Sequence, residues 1–163
     1  MIQRKPIQHI KMKKQDYTAT ITISKTPEEI FNSINSVPKW WIREVAGAFT
    51  EFEGASSKLN DEFILRHGDN HYSKHKLIEF IPDKKLVWLV TDSQLNWIKE
   101  NKQEWTGTKM VFEIVPDGEK TILNFTHDGL VPHLECYGHC VHFWERVIGE
   151  WLFNFITKDQ PHI

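Results

Sequence analysis

Two cysteines and nine histidines are the residues of this chain whose types could carry chemistry. His133, Cys136 and Cys140 fall at i, i+3 and i+7 and so share one face of a helix. Two thiolates and an imidazole at that spacing could hold a soft metal ion. The alternative is packing, with small polarizable side chains filling the seam where a helix meets a sheet. Trp144, Val147 and Trp151 continue the same face, and burying thiolates demands a compensating ion, so packing is favoured. A disulfide between residues four apart on a regular helix is geometrically poor. A reactive thiol is a third option, if Cys136 faces a wet cavity near the helix N-terminus, where the dipole lowers a thiol's pKa.

His127 is the candidate for proton chemistry. If Leu123 and Phe125 point inward from a strand, His127 does too, by the two-residue period. Near a cavity mouth it could donate to a ligand or act as a general base. The favoured alternative is a hydrogen-bonded histidine that closes the strand. His67, His71 and His75 are also spaced by four, but they flank a Gly-Asp-Asn turn. Four residues of extended chain span about 13 Å, too far for one ion, so a polar hairpin is expected there. His139 and His142 fall on the solvent side of the helix. Glu28 and Glu29 suit a helix N-terminus, and Glu79 and Glu113 a wet sheet face. A Gly-rich phosphate loop, a nucleophile elbow and a Cys-x-x-Cys are all lacking, so neither a cofactor nor a metal is expected.

These residues need elements to position them. Tyr17 to Ser24 alternates as a half-buried strand. Thr26 caps a helix with Pro27 in its first turn and Ile30, Phe31 and Ile34 as its stripe. Pro38 opens a short turn bearing Trp40 and Trp41. Strands follow at Phe63–Arg66, His75–Ile81, Leu86–Thr91, Gly107–Val115 and Thr121–His127, the last two joined by the turn Pro116-Asp117-Gly118. Residues 93–106 are a longer connection with Trp97 and Trp105, either a flexible lid or a packed loop. From His133 to Lys158 one long helix is predicted. Steps of 100° place Cys136, Cys140, Phe143, Trp144, Val147, Ile148, Trp151 and Phe155 on one half. Glu135, His139, His142, Arg146 and Glu150 take the other half, with Phe153 out of place. The apolar half needs the concave face of the sheet as its partner.

Composition bounds the rest. The chain has 163 residues, 40% hydrophobic and 26% charged, with a net charge of −2. That balance argues against nucleic acid, and no run approaches a membrane span. Residues 1–15 carry five basic side chains and no acid, leaving −7 on the remainder. We expect a basic, flexible tail over 1–15, one domain over 16–158 and a short tail over 159–163. Met12 is an alternative start. Two cysteines form no disulfide framework, which suits a reducing cytoplasm. Seven Trp and ten Phe suggest a thick core or a lined cavity.

Strand, two short helices, consecutive antiparallel strands and a long last helix is the helix-grip order, and the motifs agree. Ile23-Ser24-Lys25-Thr26-Pro27-Glu28-Glu29-Ile30-Phe31, Asn60-Asp61-Glu62-Phe63, Ile81 to Trp88, Thr108 to Val115 and His127-Asp128-Gly129-Leu130 occur in sequence. In this, residues 16 to 158 resemble the START-like (SRPBCC) superfamily, and within it the group named after the activator of heat-shock-protein-90 ATPase. Asn60 stands where that group has a glycine, as does Phe143 beside the common Trp144. The resemblance implies an α+β helix-grip fold: a curved antiparallel sheet of about six to seven strands wrapped around a long C-terminal helix, with two short helices after the first strand.

A shared fold does not select a function. The first expectation is a small hydrophobic ligand, aromatic or lipid-like, between sheet and helix. Its candidate contacts are Trp41, Phe63, Trp88, Met110, Phe112, His127, Cys136, Cys140 and Trp144. The second is a cyclase- or hydrolase-like enzyme in the same pocket, with His127 as its catalytic group. The third, suggested by the group name alone, is a co-chaperone-like protein with a chaperone partner.

Overall fold

A computed structural model describes residues 15–158. The proposed tails, apart from Gln15, lie outside the described residues. β1 (Tyr17–Ile23) leads to helices α1 (Pro27–Asn35) and α2 (Val37–Trp41). The strands β2 (Glu44–Val45), β3 (Ala48–Gly54), β4 (Glu62–His67), β5 (His71–Ile81), β6 (Lys85–Leu95), β7 (Lys109–Asp117) and β8 (Lys120–Asp128) follow. The C-terminal helix runs as α3 (Tyr137–Arg146), a π-helical stretch (Val147–Leu152) and α4 (Phe153–Thr157). The eight strands form one sheet in the order β1-β8-β7-β6-β5-β4-β3-β2, each neighbouring pair antiparallel. This is the helix-grip arrangement.

Local chemistry explains the elements. Thr26 and Glu29 form a reciprocal capping box: the Glu29 N–H donates to Thr26 Oγ1 at 3.1 Å, and the Thr26 N–H to Glu29 Oε2 at 2.9 Å. Ile30, Phe31 and Ile34 then bury the predicted stripe. Asn60 has φ +73°, which accounts for a glycine at this place in the resembling group. Asn tolerates the left-handed conformation better than most side chains. Gly129, in the exit from β8, has φ +108°, and a Cβ there would lie 2.7 Å from Thr108 Cγ2.

The sheet has one strand more than the expected upper count. β2 and β3 escape detection because their turn, Ala46-Gly47, has φ +52° and +83° without the Asn-Gly signature of such turns. Only Thr50 of β3 is buried, so its apolar alternation is faint. β5 also starts four residues earlier than expected, and β6 extends past Thr91 to Leu95. A register shift between Lys74 and His75, opposite Val90 and Asp92, switches the inward phase of β6 from Val90 to Ser93.

The C-terminal helix begins at Tyr137, four residues later than the His133 start. Its buried row is Cys140, Trp144, Ile148, Leu152 and Ile156. Residues at every fourth position drift about 40° per step on an α-helix. The π stretch, with more residues per turn, absorbs that drift and keeps the row on the sheet. Leu152 and Ile156 are therefore buried, while Phe155 is only half-buried, correcting the wheel at this end.

Candidate functional site

A cavity of about 350 Å³ lies between α3, Trp151 of the π stretch, the β4–β5 turn, the segment after β6 and the α2–β3 segment. Five large rings wall it: Trp41, Trp97, Trp105, Phe143 and Trp151. They arrive on three supports: α2, the segment after β6 and the C-terminal helix. Trp41 closes α2, and its carbonyl accepts a hydrogen bond from the Thr50 hydroxyl of β3. Phe143 and Trp151, on the same side of the C-terminal helix, meet edge-to-face at 6.2 Å, and Trp41 meets them edge-on at 5.7 and 5.9 Å. These edge-to-face contacts are the arrangement that aromatic quadrupoles prefer.

The segment after β6 carries Trp97 and Trp105, and it is packed rather than a loose lid. The Glu135 carboxylate accepts the N–H groups of Lys99 and Glu100 at 2.9 and 3.0 Å. In return the Glu104 carboxylate accepts the N–H groups of Glu135 and Cys136 at 2.9 and 3.1 Å. Glu104 thus caps α3 from outside its own chain segment, where Cys136 offers no side-chain cap. The backbone hydrogen bonds to Glu135 hold its carboxyl below the usual carboxylate range. Trp97 then lies 4.4 Å from His139 and bridges the segment to the helix over the cavity. Removing the cap in Glu104→Ala should lower stability by about 1–2 kcal/mol. Faster amide exchange at Glu135 and Cys136 should accompany the loss. Unchanged exchange there would show that the clamp does not hold the helix.

The cavity's polar groups are cations and imidazoles: Arg66, Arg146, His67, His71 and His139, with Asn70 and Thr50. His67 Nε2–H donates to the Val45 carbonyl at 2.9 Å. His71 and His75 flank the Ser73 hydroxyl at 2.8 Å on either side, and His75 Nδ1 has no partner. Burial, with His67 nearby, brings His71 down to about 4; burial also keeps His75 well below the ordinary imidazole range. The expected polar hairpin joins β4 to β5, and His71, Ser73 and His75 form a polar seam on the inner face of β5. The alternation running back from Leu77 through His75 and Ser73 to His71 was the available signal. His139, assigned to solvent, is exposed yet lines the cavity.

Of the nine candidate contacts, Trp41 and Cys140 line this cavity. Phe63, Trp88, Met110, Phe112, His127, Cys136 and Trp144 lie in the packed core instead. His127 is fully buried, away from the mouth where it was expected. Trp144 Nε1–H donates to His127 Nδ1 at 3.0 Å, so the ring proton sits on Nε2. Nε2–H donates to Thr108 Oγ1 at 2.9 Å, and the Thr108 hydroxyl donates to the Trp105 carbonyl at 2.6 Å. Both ring nitrogens of His127 and the Thr108 hydroxyl are thereby engaged, and burial lowers His127 to about 3.

The cysteines follow the packing alternative. Cys136 shares a hydrogen bond with Cys140; that bond, burial and the Glu104 carboxylate push its thiol far up, against the helix dipole. Among the described residues, no three His, Cys, Asp or Glu side chains gather closely enough to hold a metal ion. No helix among the described residues is long and apolar enough to cross a membrane.

No family model matches the sequence, and no curated protein matches it. Solved structures do. An Aha1 dimer from Colwellia psychrerythraea is similar at 19% identity and a TM-score of 0.64, over 86% of this chain and 95% of that one. The protein CV1439 from Chromobacterium violaceum is similar at 12% identity and a TM-score of 0.62, over 88% and 98%. An HSP90 activator from Plasmodium falciparum is similar at 16% identity and a TM-score of 0.56, over 86% and 92%. The resemblance read from the motif order thus holds at the level of the fold.

Proposed function

We propose that this protein binds one small, flat hydrophobic molecule in the cavity beneath its C-terminal helix. The observation that carries this reading is the wall of five aromatic rings around about 350 Å³. Such volume and lining suit a small-molecule site. Desolvation of ligand carbon, about 25 cal/mol per Å² buried, supplies the affinity. The enzyme alternative has less support, because the hydrogen bonds of His127 are already committed within the core. The likeness to an HSP90 activator is one of fold, which does not select a chaperone partner.

Phe143 provides the test, since it lines the cavity and stands where the resembling group has a glycine. The neutral fluorophore N-phenyl-1-naphthylamine should bind the wild type and raise its melting temperature by mass action. Phe143→Ala should admit bulkier probes. Phe143→Trp should fill the space and weaken binding at least tenfold while the protein stays folded. Binding that ignores both substitutions would sink the reading.

A further inference from the structure

The charged side chains around the cavity are all of one sign. Arg66 and Arg146 line it, and neither Asp nor Glu does. Behind the wall, Arg43 lies 4.6 Å over the Trp151 ring, and Arg146 lies 6.0 Å from the same ring centroid. Burial and then Arg146 depress the pKa of Arg43, and the Glu150 carboxylate opposes them more weakly. Among the described residues neither has a carboxylate within ion-pair distance. Arg43 Nε is moreover buried without a hydrogen-bond partner. Arg66 has only a rim contact with Glu53 at 4.0 Å. Such a pair at solvent-exposed positions is worth little.

Like charges gathered beside an apolar cavity, offset only in part by Glu150 near Arg43 and Glu53 at the rim, cost free energy in the empty protein. A bound anion offsets that cost, and a guanidinium is suited to a planar carboxylate by its fork of donors. Resting on the cavity reading above, we propose that the occupant is a flat aromatic carboxylate, its rings among Trp41, Trp105, Phe143 and Trp151 and its anionic group held by Arg146 and Arg66 at the rim. His71 supports this division of labour. It is neutral at physiological pH and leaves the positive charge to the arginines.

A matched pair of ligands separates charge from shape. 2-Naphthoate and neutral 2-naphthamide compete against N-phenyl-1-naphthylamine at low and high salt. Naphthoate should compete about tenfold better at low salt, as one charge-assisted contact implies. The advantage should shrink in high salt. Arg146→Gln should lose most of it and Arg146→Lys retain part, each read as the ratio of naphthoate to naphthamide competition, so that any change in fluorophore affinity cancels. Arg66→Gln should reduce the advantage further. If the fluorophore binds but both naphthalenes compete equally, the anion proposal is overturned and the apolar site stands. If neither fluorophore nor naphthalenes bind, the cavity reading itself fails and takes this proposal with it.

Discussion

Stability should fall steeply between pH 6.5 and about 4.5, before most carboxylates titrate. Three buried histidines cause this. His71 is lowered to about 4 and His127 to about 3, and His75 is lowered well below 6.5, all chiefly by burial. Above 6.5 these side chains are neutral in both folded and unfolded chains. Below it the unfolded chain takes up protons that the folded one refuses, so stability is lost as pH falls towards the folded values. Each proton contributes a slope of about 1.4 kcal/mol per pH unit, so three give about 4 kcal/mol per unit. Against a total of about 5–15 kcal/mol for an ordinary domain, that is enough to unfold the protein near pH 4.5.

Urea midpoints at pH 7.5, 6.0 and 5.0 measure the slope directly. His71→Asn should remove about one third of it, because one of the three protons is gone. Glu29 and Asp61 are held low by hydrogen bonds from Thr26 and from Ser57, respectively. Their contributions are lost only at lower pH, so they do not mimic the histidine window. A midpoint that stays flat from pH 7.5 to 5.0 would mean that these rings are not buried in neutral form.

Particular residues show what the chain made legible. Thr26, Pro27 and Glu29 announced α1, because capping is a local interaction. Pro116-Asp117-Gly118 announced the β7–β8 turn, and Gly118 has the φ of +66° that such a turn needs. The helix face was readable through Trp151 and drifted beyond it, since a 100° step assumes an α-helix and the chain adopts a π stretch. The cavity was harder to place. Inward apolar residues were taken as cavity walls, but Phe63 meets Trp88 at 5.0 Å, Trp88 meets Phe112 at 4.8 Å, and Phe125 meets Trp144 at 4.6 Å. A periodic pattern tells which way a side chain points, not whether another ring already fills the space there. The void instead opens at the β4–β5 turn, where Arg66, His67, Asn70 and His71 line it in place of apolar side chains.

The second large effect concerns His127 and separates architecture from catalysis. His127→Ala should destabilise the protein by about 4 kcal/mol, combining a cavity in the core with a Trp144 N–H left without an acceptor. Trp144→Phe keeps most of the ring volume but leaves the His127 Nδ1 lone pair bare, at a cost of about 1–3 kcal/mol. The two residues answer to the same hydrogen bond, so removing both should cost less than the sum. His127→Leu combined with Trp144→Phe should therefore show a coupling of about 1–2 kcal/mol in a double-mutant cycle. Trp144→Phe should still bind N-phenyl-1-naphthylamine once folded, because neither partner lines the cavity. Strict additivity in urea unfolding would refute the Trp144–His127–Thr108–Trp105 chain as a stabilising unit. If instead His127→Leu folds as well as the wild type and loses a measurable turnover, the ring is a working group and the enzyme reading must displace the binding one.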